Sequence, residues 1–175
     1  MTSGSAAITR RDGRGRRTLL AVRGAGELFG ELAVFDDGVR SASVLAVEPC
    51  RLHTVPATDF HRFVADHHLT LALLRHAVGR VRESEEIRQE LATAPVPVRL
   101  ASALLRLAAP SGQQLATPVV LRLTQDELAQ LIGASRNTVV QALAPWRTAG
   151  WVQATAGGGL VLYDLGPLHR LLQSA

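Results

Sequence analysis

Residues 124–143, Thr-Gln-Asp-Glu-Leu-Ala-Gln-Leu-Ile-Gly-Ala-Ser-Arg-Asn-Thr-Val-Val-Gln-Ala-Leu, constrain the fold more than any other stretch of the chain. They set two short apolar-spaced segments on either side of one glycine, each with its own start signal. Thr124 and Glu127 have capping-box spacing: the threonine side chain satisfies one free N–H while the glutamate reaches back to another. Leu128, Leu131 and Ile132 then mark one face of a two-turn helix. Gly133 stands where a left-handed residue ends such a helix, and Ser135 is a good N-cap for a second one. On that second helix Val139 and Leu143 lie four residues apart on one face. Arg136, Asn137 and Gln141 project elsewhere.

This is helix-turn-helix spacing. Glycine makes the sharp corner and the apolar faces fix the angle between the helices. The arginine, asparagine and glutamine are left at the end that enters a major groove. There arginine pairs bidentately with guanine, and asparagine or glutamine with adenine. Two apolar helices at a glycine corner also occur in ordinary bundles, so the flanks matter. Trp151–Ala154 and Leu160–Tyr163 are strand-like and joined through Gly157-Gly158-Gly159, which is a wing. A closing helix from Leu168 to Gln173 completes a winged helix-turn-helix. Pro145, late in the second helix, removes the bond to the carbonyl of Gln141, and a kink or early end is expected there.

Charge and composition agree with an anionic partner without requiring one. The formal charge is +4 and the pI about 10.8, and all 19 basic residues are arginine. Such a surface suits nucleic acid, and equally a solvated face. Hydrophobic residues make up 47% of the chain, a globular composition. No apolar run reaches the ~20 residues of a membrane span. Cys50 is the single cysteine. One thiol forms no internal disulfide and fits a reducing cytoplasm, and it excludes a four-cysteine iron–sulfur cluster within one chain.

Residues 1–60 read as β structure. Ser5–Thr9 and Thr18–Val22 flank a hairpin turn at Asp12-Gly13-Arg14-Gly15. Ser43–Val47 and Arg51–Val55 repeat the pattern around Glu48-Pro49. From about Ala57 to Thr93 the spacing turns helical. Leu71, Leu74, Val78 and Val81 form a seam that packs either on an identical helix or on its own domain. Ala94-Pro95-Val96-Pro97 stops that helix. A short amphipathic helix follows, with Leu100, Leu104, Leu107 and Ala108 on one side, and Pro110-Ser111-Gly112 ends it. Three regions result: a β region at 1–60, a long helix at 61–94, and the helix-turn-helix part at 95–175.

With both ends read, the chain resembles the Crp/Fnr family, the cyclic-AMP receptor protein group of bacterial transcription regulators. Phe29-Gly30-Glu31-Leu32-Ala33 followed by Arg40-Ser41-Ala42 looks like the family's phosphate-binding cassette. Gly133-Ala134-Ser135-Arg136-Asn137-Thr138-Val139 matches its helix-turn-helix corner. The resemblance covers nearly the whole chain. It implies an α+β architecture: a partial cyclic-nucleotide-binding-type β-roll, a long dimerisation helix and a C-terminal winged helix-turn-helix. It implies a regulator rather than an enzyme, working as a homodimer on a near-palindromic double-stranded operator, with RNA polymerase as a further partner. Cyclic AMP would act as an allosteric ligand, not a required cofactor. Ligand contacts are implied at Gly30, Glu31, Leu32, Ala33, Arg40, Ser41, Ala42, Arg80 and Ser84. DNA contacts are implied at Thr124, Gln125, Ser135, Arg136, Asn137, Thr138 and Gln141.

The cassette residues have chemistry of their own. Arg40 can grip a phosphate with two parallel N–H groups, Ser41 adds a hydroxyl donor, and Gly30 lets the backbone come close to a sugar. Glu31 can accept from a ribose 2′-hydroxyl. The alternative is a structural ion pair between Glu31 and Arg40.

Three departures from the family pattern bear on function. Ser84 matches the first of two hydroxyl positions that meet adenine, but Glu85 stands at the second, where a buried carboxylate is costly unless paired. Asn137 stands where the best-known members carry glutamate, which shifts the expected base from cytosine to adenine. Gly4-Ser5-Ala6 lines up with the middle of the roll. Either the start lies upstream of Met1 or this is a short form, and a roll begun there exposes a strand edge that needs cover.

Six histidines carry no carboxylate or cysteine spacing suited to a metal. The Arg10-Arg11, Arg14 and Arg16-Arg17 cluster decorates a hairpin or adds a phosphate contact. Two rivals to the ligand-gated regulator fit the same residues. One is a ligand-independent DNA-binding regulator with a vestigial sensor, and the other a nucleotide-sensing or interaction module without DNA readout.

Overall fold

The computed structural model describes residues 1–11, 13–15, 17–36, 38–109 and 118–174. Two small antiparallel sheets and a set of helices follow in chain order. β1 (Ala6–Arg11) and β2 (Arg17–Arg23) form a hairpin, with Ala6 opposite Arg23 and a register shift between Ile8 and Thr9. α1 (Glu31–Phe35) comes next. β3 (Ser43–Ala46) then returns to β1 with Ala6 opposite Ala46, so the first sheet runs β2-β1-β3. Alternation fails at the expected fourth strand. Only Arg51 bridges, to Ser3, while Leu52 and Val55 are 60% and 53% exposed. Residues 52–55 have a strand-like pattern but no strand partner among the described residues.

The helical stretch expected from Ala57 to Thr93 is two helices, α2 (Ala57–Asp66) and α3 (Thr70–Thr93). The break falls at His67–Leu69, where His68 takes φ 53°, a left-handed turn that no glycine or proline announces. Leu71, Leu74, Val78 and Val81 on α3 are 40–58% exposed, so this chain does not cover the seam itself. Pro95 caps α4 (Val96–Ala108). Leu100, Leu104 and Ala108 are buried there and Leu107 is half-buried. The expected stop at Pro110-Ser111-Gly112 lies outside the described residues, as do Asp12 and Arg16 of the β1–β2 turn.

β4 (Val119–Leu121) precedes α5 (Gln125–Leu131) and α6 (Arg136–Thr148), and β5 (Val152–Ala154) and β6 (Leu160–Leu162) follow them. The second sheet is ordered β4-β6-β5, so the wing hairpin is joined by a strand from before the helix pair. α7 (Gly166–Gln173) closes the chain against α4. α6 does not end early at Pro145. It continues to Thr148, with Leu143 and Trp146 on either side of the proline buried at 0% and 4% exposure. That apolar burial offsets the lost backbone bond.

One hydrophobic cluster spans both halves. Leu100, Leu104, Leu128, Ile132, Val139, Leu143, Leu160, Leu162 and Leu168 form its centre, and Ala7 and Leu19 of the first sheet join it. Contact runs through β2 and α5, where the Leu19 N–H donates to Gln130 Oε1 at 2.8 Å. Part of the β2 edge is thereby covered by the helix-turn-helix. Among the described residues no helix is long and apolar enough to cross a membrane.

Candidate functional site

The corner between α5 and α6 is built almost entirely from local signals. Thr124 Oγ1 accepts from the Glu127 N–H at 3.2 Å, and Glu127 Oε2 accepts from the Thr124 N–H at 2.8 Å, the reciprocal capping box. At the far end Gly133 takes φ 59°. The Ala134 N–H reaches the Ala129 carbonyl at 2.9 Å and the Gly133 N–H that of Gln130 at 3.4 Å. These are the two bonds of a Schellman stop, and the left-handed φ is why glycine holds the position. Ser135 Oγ accepts from the Thr138 N–H at 3.1 Å and starts α6.

Val139 and Leu143 are fully buried against α5 and α4, whereas Arg136, Asn137 and Gln141 are exposed. Arg136 Nε lies 3.8 Å from Asp126 Oδ2, with both side chains more than 60% exposed. An ion pair so open to water is weak, and the guanidinium is free to exchange it for a base edge. Thr124 and Ser135 are exposed, and Gln125 and Thr138 half-buried, around the same corner. The wing turn is tight: a Cβ on Gly159 would overlap the Leu121 carbonyl oxygen, and Thr155 Oγ1 accepts from the Gly159 N–H at 2.9 Å.

The cassette surrounds a cavity of about 380 Å³, within the lower range of small-molecule sites. Its wall includes Gly30, Glu31, Leu32, Ala33, Arg40, Ser41, Ala42 and, from α3, Arg80. Gly30 has φ 82°, and a Cβ there would overlap Arg40 Nη1. The arginine therefore lies across the glycine, where it also donates to the Phe29 carbonyl at 3.4 Å. The alternative ion pair between Glu31 and Arg40 is not formed. Glu31 Oε1 instead lies 3.6 Å from His76 Nε2 of α3, and the Glu31 side chain is only 11% exposed. Ser84 and Glu85 are both exposed, and neither belongs to the cavity wall. The cost expected from burying the Glu85 carboxylate therefore does not arise within this chain.

Behind this cavity lies a charged network that sequence reasoning missed. Arg80 donates through Nη2 to Glu27 Oε2 and through Nη1 to Glu83 Oε2 at 3.4 Å. Arg23 of β2 grips the same Glu83 with two bonds at 2.7 and 2.8 Å. Partial burial raises the Glu83 pKa, but the Arg23 bond and charge and the Arg80 charge outweigh it, so the carboxyl sits below its ordinary range. The three-residue step from Arg80 to Glu83 was open to inspection on a helix. The link to Glu27, 53 residues away, carried no local signal. Among the described residues no three His, Cys, Asp or Glu side chains gather as a metal site.

An exposed polar face at the start of α6, a wing beside it and a glycine-arginine cavity joined through a long helix define a two-part transcription regulator. Comparison with known proteins agrees. Residues 1–67 match the cyclic nucleotide-binding domain family, and residues 98–171 the Crp-like helix-turn-helix domain family. The chain is 38% identical over 171 residues to the CRP-like cAMP-activated global transcriptional regulator of Mycobacterium tuberculosis, covering 96% of this chain and 76% of that protein. It is 33% identical over 162 residues to the cyclic AMP receptor protein of Thermus thermophilus, covering 90% and 71%. A solved CRP/FNR-family transcriptional regulator, also from Thermus thermophilus, superposes with TM-score 0.69 at 28% identity, covering 98% of this chain and 84% of that one. The chain belongs to the CRP/FNR family of transcription regulators, with a cyclic nucleotide-binding β-roll domain and a helix-turn-helix domain. Its relatives are regulators, not enzymes.

Proposed function

We propose that the protein is a homodimeric, sequence-specific DNA-binding regulator gated by a cyclic nucleotide. In this reading residues 1–60 sense ligand, the helix within 61–94 pairs two copies, and 95–175 read DNA. The observation that carries it is the division of α6: Val139 and Leu143 are fully buried while Arg136, Asn137 and Gln141 face solvent together. Arg136 pairs with guanine and Asn137 or Gln141 with adenine, while Thr124, Gln125, Ser135 and Thr138 hold the backbone register.

The uncovered seam Leu71, Leu74, Val78 and Val81 supports pairing of α3 with its copy. Two recognition helices then meet successive major grooves ~34 Å apart over a near-palindrome. The cassette residues Gly30 to Ala33 and Arg40 to Ala42, with Arg80, supply the ligand contacts, and Ser84, outside the cavity of its own chain, would reach ligand only across the dimer. Relatives named as cAMP-activated make cyclic AMP the first ligand to test. Gating requires that it bind one arrangement of the two halves more tightly than the other.

The test is a DNA titration on palindromic sites selected from a random pool, with and without cyclic AMP, alongside sedimentation of the free protein. Tighter operator binding with nucleotide and a two-chain mass are expected. Equal affinity with and without nucleotide would leave a ligand-independent regulator. No selected palindrome would remove the DNA reading.

A further inference from the structure

The cassette cavity and the cleft behind it share a charged wall, formed in part by Arg23 and Arg80. In that wall two guanidinium groups and two carboxylates neutralise one another. Glu27 and Glu83 hold Arg80, and Arg23 holds Glu83 as well. All four side chains are only 20–29% exposed, so the pairing acts in a medium where charge is poorly screened. Arg40 is different. It is exposed, and among the described residues it pairs with no carboxylate. The three arginines of the cavity wall are therefore unequal: Arg40 is available to an anion, whereas Arg23 and Arg80 are already engaged.

We propose that Glu27 and Glu83 are internal competitors for Arg80, so that an anionic ligand gains its second guanidinium only by displacing them. This rests on the ligand reading above and names what sets the site's affinity for charge. The geometry of arginine makes the competition direct. Its N–H groups lie in one planar fork, and the Nη atoms that would grip a phosphate are the ones now given to the two glutamates. The two competitors are not equivalent. Glu83 keeps its paired bonds to Arg23 when Arg80 leaves. Glu27 has no other side-chain partner among the described residues and would be left half-buried and unpaired, which is unfavourable. Glu27 is the stronger restraint.

Calorimetric titration of the full chain with cyclic AMP and with adenosine, which lacks the phosphate, tests this. Glu27→Gln is expected to tighten cyclic AMP binding about tenfold, and Glu83→Gln by less. Adenosine affinity should not move in either variant, and Arg80→Gln added to Glu27→Gln should abolish the gain. Melting temperatures near that of the unsubstituted chain check folding, and Glu83→Gln serves if Glu27→Gln unfolds. If Arg40→Ala abolishes cyclic AMP binding but neither glutamine variant tightens it, the competition is wrong and the ligand reading stands. An equal gain for adenosine also overturns the competition. No cyclic AMP binding by the unsubstituted chain or by either glutamine variant overturns both.

Discussion

The two halves of the molecule are stabilised differently. In the helix-turn-helix half, Leu100, Leu104, Leu128, Leu143, Leu160 and Leu168 are all at 0% exposure, packed by α4, both reading helices, the second sheet and α7. In the sensing half together with α2, the buried hydrophobics among the described residues are Ala6, Ala7, Leu19 and Val64, while Leu20, Leu32, Phe35, Val39, Val44 and Leu45 are 39–91% exposed. A reading head whose tip must meet base edges at fixed angles needs a rigid core behind it. The sensing half has a thin core, and two of its buried residues, Ala7 and Leu19, are buried within the cluster they share with the other half.

That contrast predicts a graded set of effects. Leu104→Ala, at the centre of the reading half, should cost ~2–5 kcal/mol and remove operator binding, read by thermal denaturation and gel shift. A loss below about 1 kcal/mol would mean the core is looser than its burial implies.

Gln130→Ala tests whether the halves rest on one another. It leaves the partly buried Leu19 N–H without its acceptor, a loss of about 1–3 kcal/mol. Hydrogen exchange at Leu19 should quicken while α6 amides stay protected. Unchanged exchange at Leu19 would separate the halves at that contact.

The smallest effect concerns pH. Because the Glu83 carboxyl is held below its ordinary range, its contribution is full above the ordinary glutamate pKa of about 4.3. It is lost as pH falls through the lowered value. Acid titration of stability should therefore show a component that Glu83→Gln removes. An identical acid profile in that variant would contradict the pairing with Arg23.

Legibility in the sequence follows the same division. The reading half was readable because its signals are local: Thr124 with Glu127, Gly133 and Ser135 each fix a terminus within four residues of themselves. The wing followed from its glycines. Elsewhere the deciding interactions were distant or silent. The break at His67–Leu69 depends on a left-handed histidine rather than glycine. Residues 52–55 alternate like a strand but have no strand partner among the described residues, which a pattern within one segment does not register. Pro145 signals a kink or an early end, yet with Leu143 and Trp146 buried the helix runs on to Thr148. The cassette was legible as a motif. The carboxylates that engage Arg80 were not, because Glu27 meets it across 53 residues, and the Gln130 contact spans 111.

The central claim, that the exposed start of α6 reads bases, is tested most directly by base preference. Sites selected from a random pool by the unsubstituted chain and by Arg136→Ala should differ at one position in each half-site. Affinity there should fall by ~1–3 kcal/mol, with other positions unchanged. A uniform loss across all sequences would make Arg136 a phosphate contact and contradict the account.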